Sequence, residues 1–348
     1  MKNGYINRSL CDLKNISEEI GSNLNYIQAS GGNTSFKCGN KMWIKASGKQ
    51  LSRANKENIF VCLENINESD QILSQSIDDT HLKKLEETDL RQSIETLLHA
   101  VMPHKYVIHS HPIDLIRETL IENNIQTISQ LMANRLWEYV EYQKPGKELA
   151  KAVYSKIKNK KINYVILFNH GLVVGGKSAQ EVKLRHNKIV SRFFKLKRET
   201  KLVKKQLLKK VQAKLNLDFN QKWYIPDEQI IHSLATDDWS LNLAELNPLY
   251  PDHIVFCGKN PLITNYEDII DDKIPVLINE FQYIIIRNIG ILFRDDISSA
   301  TIDMLKAQAC LNLSLPVGSA VKTLTNEQCQ EIIGLDSEKY RIKLSKKK

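Results

Sequence analysis

A chain of 348 residues that is 42% hydrophobic is long and apolar enough for two ordinary domains, or for one with a large extension. No run reaches the roughly 18 uninterrupted apolar residues of a membrane span, and the opening MKNGYINRSLCDLKN lacks the apolar stretch of a secretory signal. The net charge of +9 invites a nucleic-acid reading, but much of the excess is local, and no nucleic-acid module is recognisable.

In chain order, helical periodicity runs from Leu10 to Leu24. Asn25 to Ser30, Thr34 to Lys37 and Met42 to Ala46 then read as short strands, joined by Gly31-Gly32-Asn33 and by Gly39-Asn40. The second of these joints is a tight-turn signal. Ile59 to Leu63 reads as another strand. After a polar stretch a helix is expected from about Asp89 to Val101, ahead of Pro103, followed by a strand from Lys105 to His109. Pro145-Gly146 breaks the chain before a helix from about Glu148 to Ile157. Ile162 to Phe168 and Leu172 to Val174 form strands around Asn169-His170-Gly171.

A long helix is expected from Ser178 into the basic segment Lys195 to Lys214. There Leu196, Val203, Leu207, Leu208 and Val211 recur at helical spacing, so the charge reads as the solvated face of an amphipathic helix. Strands mixed with helices in this order indicate an α/β domain over residues 1–215. Residues 216–348 repeat part of the plan. Tyr164 to Lys188 and Tyr283 to Ala307 both run apolar strand, Asn-x-Gly, apolar strand, polar turn and helix, with Ile289 where the first copy has His170. The second part is therefore expected to be a smaller α/β domain, a degenerate second copy without metal ligands.

The chemistry concentrates in the histidines. His109 and His111 are two residues apart, and on a strand that spacing turns both imidazoles to one face. His170, at a turn between strands, adds a third ligand, and three histidines with an open fourth position suit a catalytic divalent metal such as zinc. Glu95 lies on the helix leading into the His-x-His strand, where a carboxylate near a metal-bound carbonyl serves as a general base. His99, four residues on, is read as structural. The glycine-rich turn Gly31 to Ser35, the Ser47-Gly48 pair and Ser93 offer polar groups for an anion. The six cysteines (Cys11, Cys38, Cys62, Cys257, Cys310 and Cys329) show no CxxC spacing and fit a reducing cytoplasm better than a disulfide framework.

Five segments in one order resemble the class II aldolase/adducin family: Ser30-Gly-Gly-Asn-Thr-Ser35, Trp43-Ile-Lys-Ala-Ser-Gly48, Ser93-Ile-Glu-Thr-Leu-Leu-His99, Val107-Ile-His-Ser-His-Pro112 and Asn169-His-Gly-Leu172. The flavour is similar to the long, rhamnulose-1-phosphate aldolase-like members. The resemblance implies a three-layer α/β/α domain with a central, mostly antiparallel sheet. It implies Zn2+, or another divalent metal, on His109, His111 and His170, with Glu95 as the enolising base. A phosphate pocket of Gly32, Asn33, Ser47, Gly48 and Ser93 is implied as well, and a catalytic Tyr142 acting from a neighbouring subunit, with Tyr139 in reserve.

The implied activity is cleavage of a ketose 1-phosphate or related sugar through a metal-stabilised enediolate, in a cytoplasmic homo-oligomer, a tetramer in relatives, without nucleic-acid or membrane partners. The alternatives are a sugar-phosphate 4-epimerase or decarboxylase of the same family, and a non-catalytic adducin-like binding module. One departure is Ile94, which stands where the family's phosphate pockets often have a second serine.

Overall fold

The structure is a computed structural model that describes residues 2–64, 84–85, 88–219, 221–273, 278 and 280–346. Most of the polar stretch after Leu63 lies outside the described residues. The first part comprises helix α1 (Lys2–Gly21), strands β1 (Asn33–Cys38), β2 (Lys41–Lys45) and β3 (Phe60–Leu63), helix α2 (Thr96–Val101) and strand β4 (Tyr106–Ser110). Next come α3 (Ile113–Leu120), α4 (Ile125–Leu131), β5 (Trp137–Val140), α5 (Lys147–Ile157), β6 (Tyr164–Leu167), β7 (Gly171–Gly176) and α6 (Ala179–Val190). Its seven strands form one sheet in the order β3-β2-β1-β4-β7-β6-β5. Among these pairs only β5 and β6 run parallel.

Strand alternation divides this sheet between two helical layers. Tyr106, Ile108, Ile166, Leu172 and Val174 share a buried cluster with Leu13 and Ile16 of α1 and Val182 and Ile189 of α6. Val107, Val165, Leu167 and Val173 turn the other way, onto Leu97 and Leu98 of α2 and Leu149 and Val153 of α5. The result is the expected three-layer α/β/α arrangement around a mostly antiparallel sheet. On β4 the alternation puts His109 on the face of Val107, toward the layer that contains α2.

The second part contains α7 (Lys205–Asp218), β8 (Trp223–Tyr224), α8 (Gln229–Thr236), α9 (Asp238–Ala244), α10 (Pro251–Cys257) and β9 (Leu262–Thr264). It continues with α11 (Tyr266–Ile270), β10 (Tyr283–Ile286), β11 (Gly290–Arg294), α12 (Ser299–Ser314), α13 (Asn326–Gly334) and α14 (Asp336–Ser345). Its sheet has the order β8-β11-β10-β9. The β10–β11 hairpin pairs Tyr283 with Phe293 and Ile286 with Gly290, the same register as Tyr164 with Val174 and Leu167 with Gly171. Both turns place an asparagine in the left-handed region, Asn169 at φ 50° and Asn288 at φ 58°. Each hairpin leads to a serine-capped helix, through Ser178 and Ser298.

Several local expectations change. Asn25 to Ser30 is not a strand: Ala29 takes φ 50° and the Gly31 amide donates to Gln28 O, so this stretch turns. The helix expected from Asp89 starts only at Thr96, because the Ser93 carbonyl accepts from the Thr96 amide in a turn that leaves Glu95 as the N-cap. The long helix from Ser178 stops at Val190, followed by a single 3₁₀ turn. Arg198 then ties the connecting stretch to the Asp237 carboxylate and to the Asn312 and Leu315 carbonyls. Leu196 and Leu202 remain exposed, and the amphipathic helix is confined to α7. Because Leu208, Val211 and Leu215 of α7 pack with Trp223, Ile284 and Leu292, the chain passes to the second core near residues 194–204 rather than at 215.

The two parts also share a cluster. Ile113, Ile116 and Leu120 of α3 pack with Leu249, Tyr250 and Ile254 and with Met304, Ala307 and Leu311 of α12. Each isoleucine, leucine and methionine buried here contributes about 1.5–3 kcal/mol. This contact holds α10 and α14 against the end of β4.

Candidate metal centre

Backbone geometry delivers each histidine separately. His109 is paired across the sheet with Asn33 of β1 on one side and Val173 of β7 on the other. His111 stands just past β4, its amide donating to Tyr26 O, before Pro112 caps α3. His170 ends the three-residue turn between β6 and β7. That turn is braced by the Asn169 side chain, which donates to Leu249 O and Lys322 O of the second part. Gly171 is required where this hairpin crosses β4, since a Cβ there would lie 2.3 Å from Ser110 O.

The three imidazoles offer nitrogens within 4.8 Å of one another, and all three residues are buried. His109 Nδ1 lies 3.1 Å from Leu172 O and His111 Nδ1 lies 3.1 Å from Asp252 Oδ2. A proton on each Nδ1 faces an oxygen, hydrogen-bonded to Leu172 O for His109 and at ion-pair distance from Asp252 for His111, and leaves both Nε2 atoms as lone-pair donors. Those Nε2 atoms face each other at 3.1 Å. Two lone pairs so close repel unless a cation or a proton lies between them, and together with the third imidazole they match the donor set of a borderline-soft divalent metal. Burial brings His111 down to about 4, which keeps it in the neutral form that a metal needs.

Glu95 sits over this triad. Its Oε1 makes no hydrogen bond among the described residues and lies 3.2 Å from His109 Nε2 and 3.1 Å from His170 Nε2. Its Oε2 accepts from Asn33 Nδ2 at 2.7 Å. Burial pushes its carboxyl up, but His109 and then His170 more than offset that and hold it well below its ordinary value, so it is anionic. His99 does not reach the Glu95 side chain; its Nδ1 bonds Ser35 Oγ at 2.8 Å, a structural role.

Gly32, Asn33, Ser47, Gly48 and Ser93 all line the same enclosed cavity as Glu95, His111 and His170. Its volume of about 30 Å³ admits an ion or a water. Tyr142 is the exception. It packs onto the shared core near Cys329 and Glu331, and its hydroxyl is buried there without a hydrogen-bond partner among the described residues. Burial, followed by Glu331, raises its phenol above the usual range, and it does not line the cavity of its own chain. Tyr139 stands on the edge strand β5, tilted against Phe168.

Four charged lining residues carry no assignment from sequence: Lys45, Asp252, Glu338 and Arg341. Lys45 donates to Ser30 O at 2.6 Å and Lys49 O at 2.9 Å, and burial, aided by Arg341, brings its ammonium down to about 7. Arg341 Nη1 pairs with Asp252 Oδ1 at 2.9 Å and Glu338 Oε2 at 2.8 Å. Burial raises Asp252, but Arg341 and then His111 outweigh it and keep the carboxylate ionised well below the usual range. Lys45 lay within a motif that was recognised. The other three come from α10 and α14, and no spacing rule joins them to residues more than a hundred positions earlier.

Comparison with known proteins places this geometry. A curated relative, "Uncharacterized oxidoreductase YuxG" of Bacillus subtilis (strain 168), is 32% identical over 180 residues, which is 47% of this chain. The aligned segment spans only 26% of that protein's length. Among solved structures, the N-terminal class II aldolase domain of a conserved protein from Thermoplasma acidophilum is 26% identical with a TM-score of 0.46. That match covers 52% of this chain and 90% of the other. A sugar-phosphate aldolase from Thermotoga maritima is 15% identical with a TM-score of 0.45, covering 62% and 98%. The profile described as Class II Aldolase and Adducin N-terminal domain matches residues 11–191, which contain the three histidines, Glu95 and the glycine-rich turn, and the chain belongs to that family.

Proposed function

We propose that the chain is a metal-dependent carbon–carbon lyase, an aldolase that cleaves a ketose 1-phosphate or a related sugar. The observation that carries this reading is the anionic Glu95 carboxylate, buried 3.1–3.2 Å from two imidazole nitrogens of the triad. Zinc, or another divalent cation, on His109, His111 and His170 would supply Lewis-acid polarisation of a substrate carbonyl. Glu95 then moves the proton, taking it from carbon in the condensation direction and returning it in cleavage. Asn33 holds the second carboxylate oxygen and so aims the first. Ser47, Gly48 and Ser93 are proposed to bind the anionic end of the substrate, with Lys45 and Arg341 on the same wall. The family resemblance implies Tyr142 of a neighbouring copy in a homo-oligomer as the aldehyde-side proton donor, and that role requires its hydroxyl, buried against the chain's own core, to turn outward on assembly. The part after the linker at 194–204 is read as a shortened repeat of β5–β7 and α6, on the shared register and turn geometry.

The first test is metal content. Wild-type protein should carry about one equivalent of a divalent metal, and His109→Ala/His111→Ala should lose it. Glu95→Gln should keep the metal and lose orders of magnitude in aldehyde release from ketose 1-phosphates. A protein that stays metal-free when zinc is supplied is better read as an adducin-like binding module. A loaded enzyme that inverts or decarboxylates its substrate belongs to the epimerase or decarboxylase branch.

A further inference from the structure

The second part of the chain reaches the histidine triad through His111 Nδ1 and Asp252 Oδ2, 3.1 Å apart. Both atoms are buried, and neither has a hydrogen-bond partner among the described residues, so at 3.1 Å each is the other's nearest polar counterpart as an ion pair rather than as a formed hydrogen bond. Asp252 is 3% exposed, in the first turn of α10 directly after Pro251, which starts that helix. Its other oxygen is fixed by Arg341 of α14, and Arg341 is itself held by Glu338 and laid over the Phe256 ring, 5.1 Å from its centroid. The first part leaves room for the approach: a Cβ on Gly31 would lie 2.5 Å from Asp252 Oδ2 and 2.9 Å from His111 Nδ1.

A carboxylate aimed at the back nitrogen of an imidazole fixes the tautomer, orients the ring and makes the front nitrogen more basic. We propose that Asp252, held by Arg341, is the outer carboxylate of the metal centre. It acts as a positioning residue through which the second part of the chain completes a site whose three ligands all belong to the first. The inference rests on the metal-centre reading above. On this view the extension is required for tight metal binding, and Gly31 is glycine because a side chain there would part Asp252 from His111.

The test compares full-length wild type with Asp252→Ala and Asp252→Asn, each stripped of metal and titrated with zinc against a chromogenic chelator. Asp252→Ala should bind zinc about ten- to a hundred-fold more weakly. Asp252→Asn keeps an oxygen that accepts the His111 proton but loses the charge, so its loss should be smaller. Cobalt(II) substituted into the same proteins should show a visible spectrum altered in the order Asn, then Ala. A purely structural ion pair would lower the unfolding temperature of the metal-free variants but leave zinc affinity and the cobalt spectrum of the folded protein unchanged, and that result overturns the proposal. If Asp252→Ala does not fold, the near-isosteric Asp252→Asn carries the comparison, with wild-type affinity as the overturning outcome. Wild-type protein that binds neither zinc nor cobalt overturns the metal-centre reading itself, and this proposal with it.

Discussion

Lys45 lies at the contact between the two parts, 2% exposed, and faces Arg341, Glu95, Asp252 and Glu338 as charged neighbours. Burial is the largest influence on its amine and Arg341 adds to it, so the folded-state pKa falls to about 7, against roughly 10.4 in an unfolded chain. Between those values the unfolded chain keeps a proton that the folded chain has released. Stability therefore rises with pH through this window on account of Lys45, by at most ~1.4 kcal/mol per pH unit. Lys45→Met lacks that contribution. Metal-free wild type should accordingly gain stability relative to Lys45→Met between pH 7 and pH 10, measured as urea midpoints at each pH. Parallel midpoint curves would show that Lys45 stays charged when folded.

At the scale of elements, α14 stands between the inner cavity and the surface, lining both. Leu344 packs over Gly48, where an added Cβ would come within 2.4 Å of Leu344 Cδ1, and the Arg91 guanidinium lies 4.8 Å from the Tyr340 ring centroid. Outside α14 an open groove of about 540 Å³ shares Ser30, Gly48 and Arg341 with the inner cavity. A sugar that enters from this groove passes Tyr340, Arg341 and Leu344 of α14. Tyr340→Ala and Leu344→Ala remove packing without touching the triad. They should speed imidazole modification by diethylpyrocarbonate several-fold in the metal-free protein; unchanged rates would mean that the cavity opens elsewhere.

The same element marks how far the sequence could be read. His109-Ser-His111, the Asn169-His-Gly turn and the Gly31 turn were legible because each is a local pattern with a local geometric consequence. Asp252 and Arg341 were not, since their meaning depends on α3 and α12 sharing a core. The four-residue strand β5, together with α3 and α4, went unread because short runs give periodicity too little length. The helix drawn through Lys195 to Lys204 failed for another reason. Its apolar spacing was genuine, but Arg198 finds carbonyls and Asp237 in the neighbouring unit, and those contacts override propensity.

For the whole molecule, the consequence of that shared core is that its two sheets should not melt independently. Ile116 of α3 and Met304 of α12 belong to one cluster and are 1% and 0% exposed. Asn169, beside the ligand His170, hangs from carbonyls of the second part. Loosening α12 therefore strips support from the metal site as well as from its own sheet. Met304→Ala leaves a cavity at this junction and should cost about 2–5 kcal/mol. The informative readout is the shape of unfolding rather than its midpoint alone. If the junction couples the two parts, heating should show one transition in wild type and one, shifted down, in Met304→Ala, with fluorescence and far-UV circular dichroism coinciding. Two transitions, with only the later part of the chain moved by the substitution, would mean that the first sheet holds its own. The second part would then be an attachment to the metal site and not a partner in forming it.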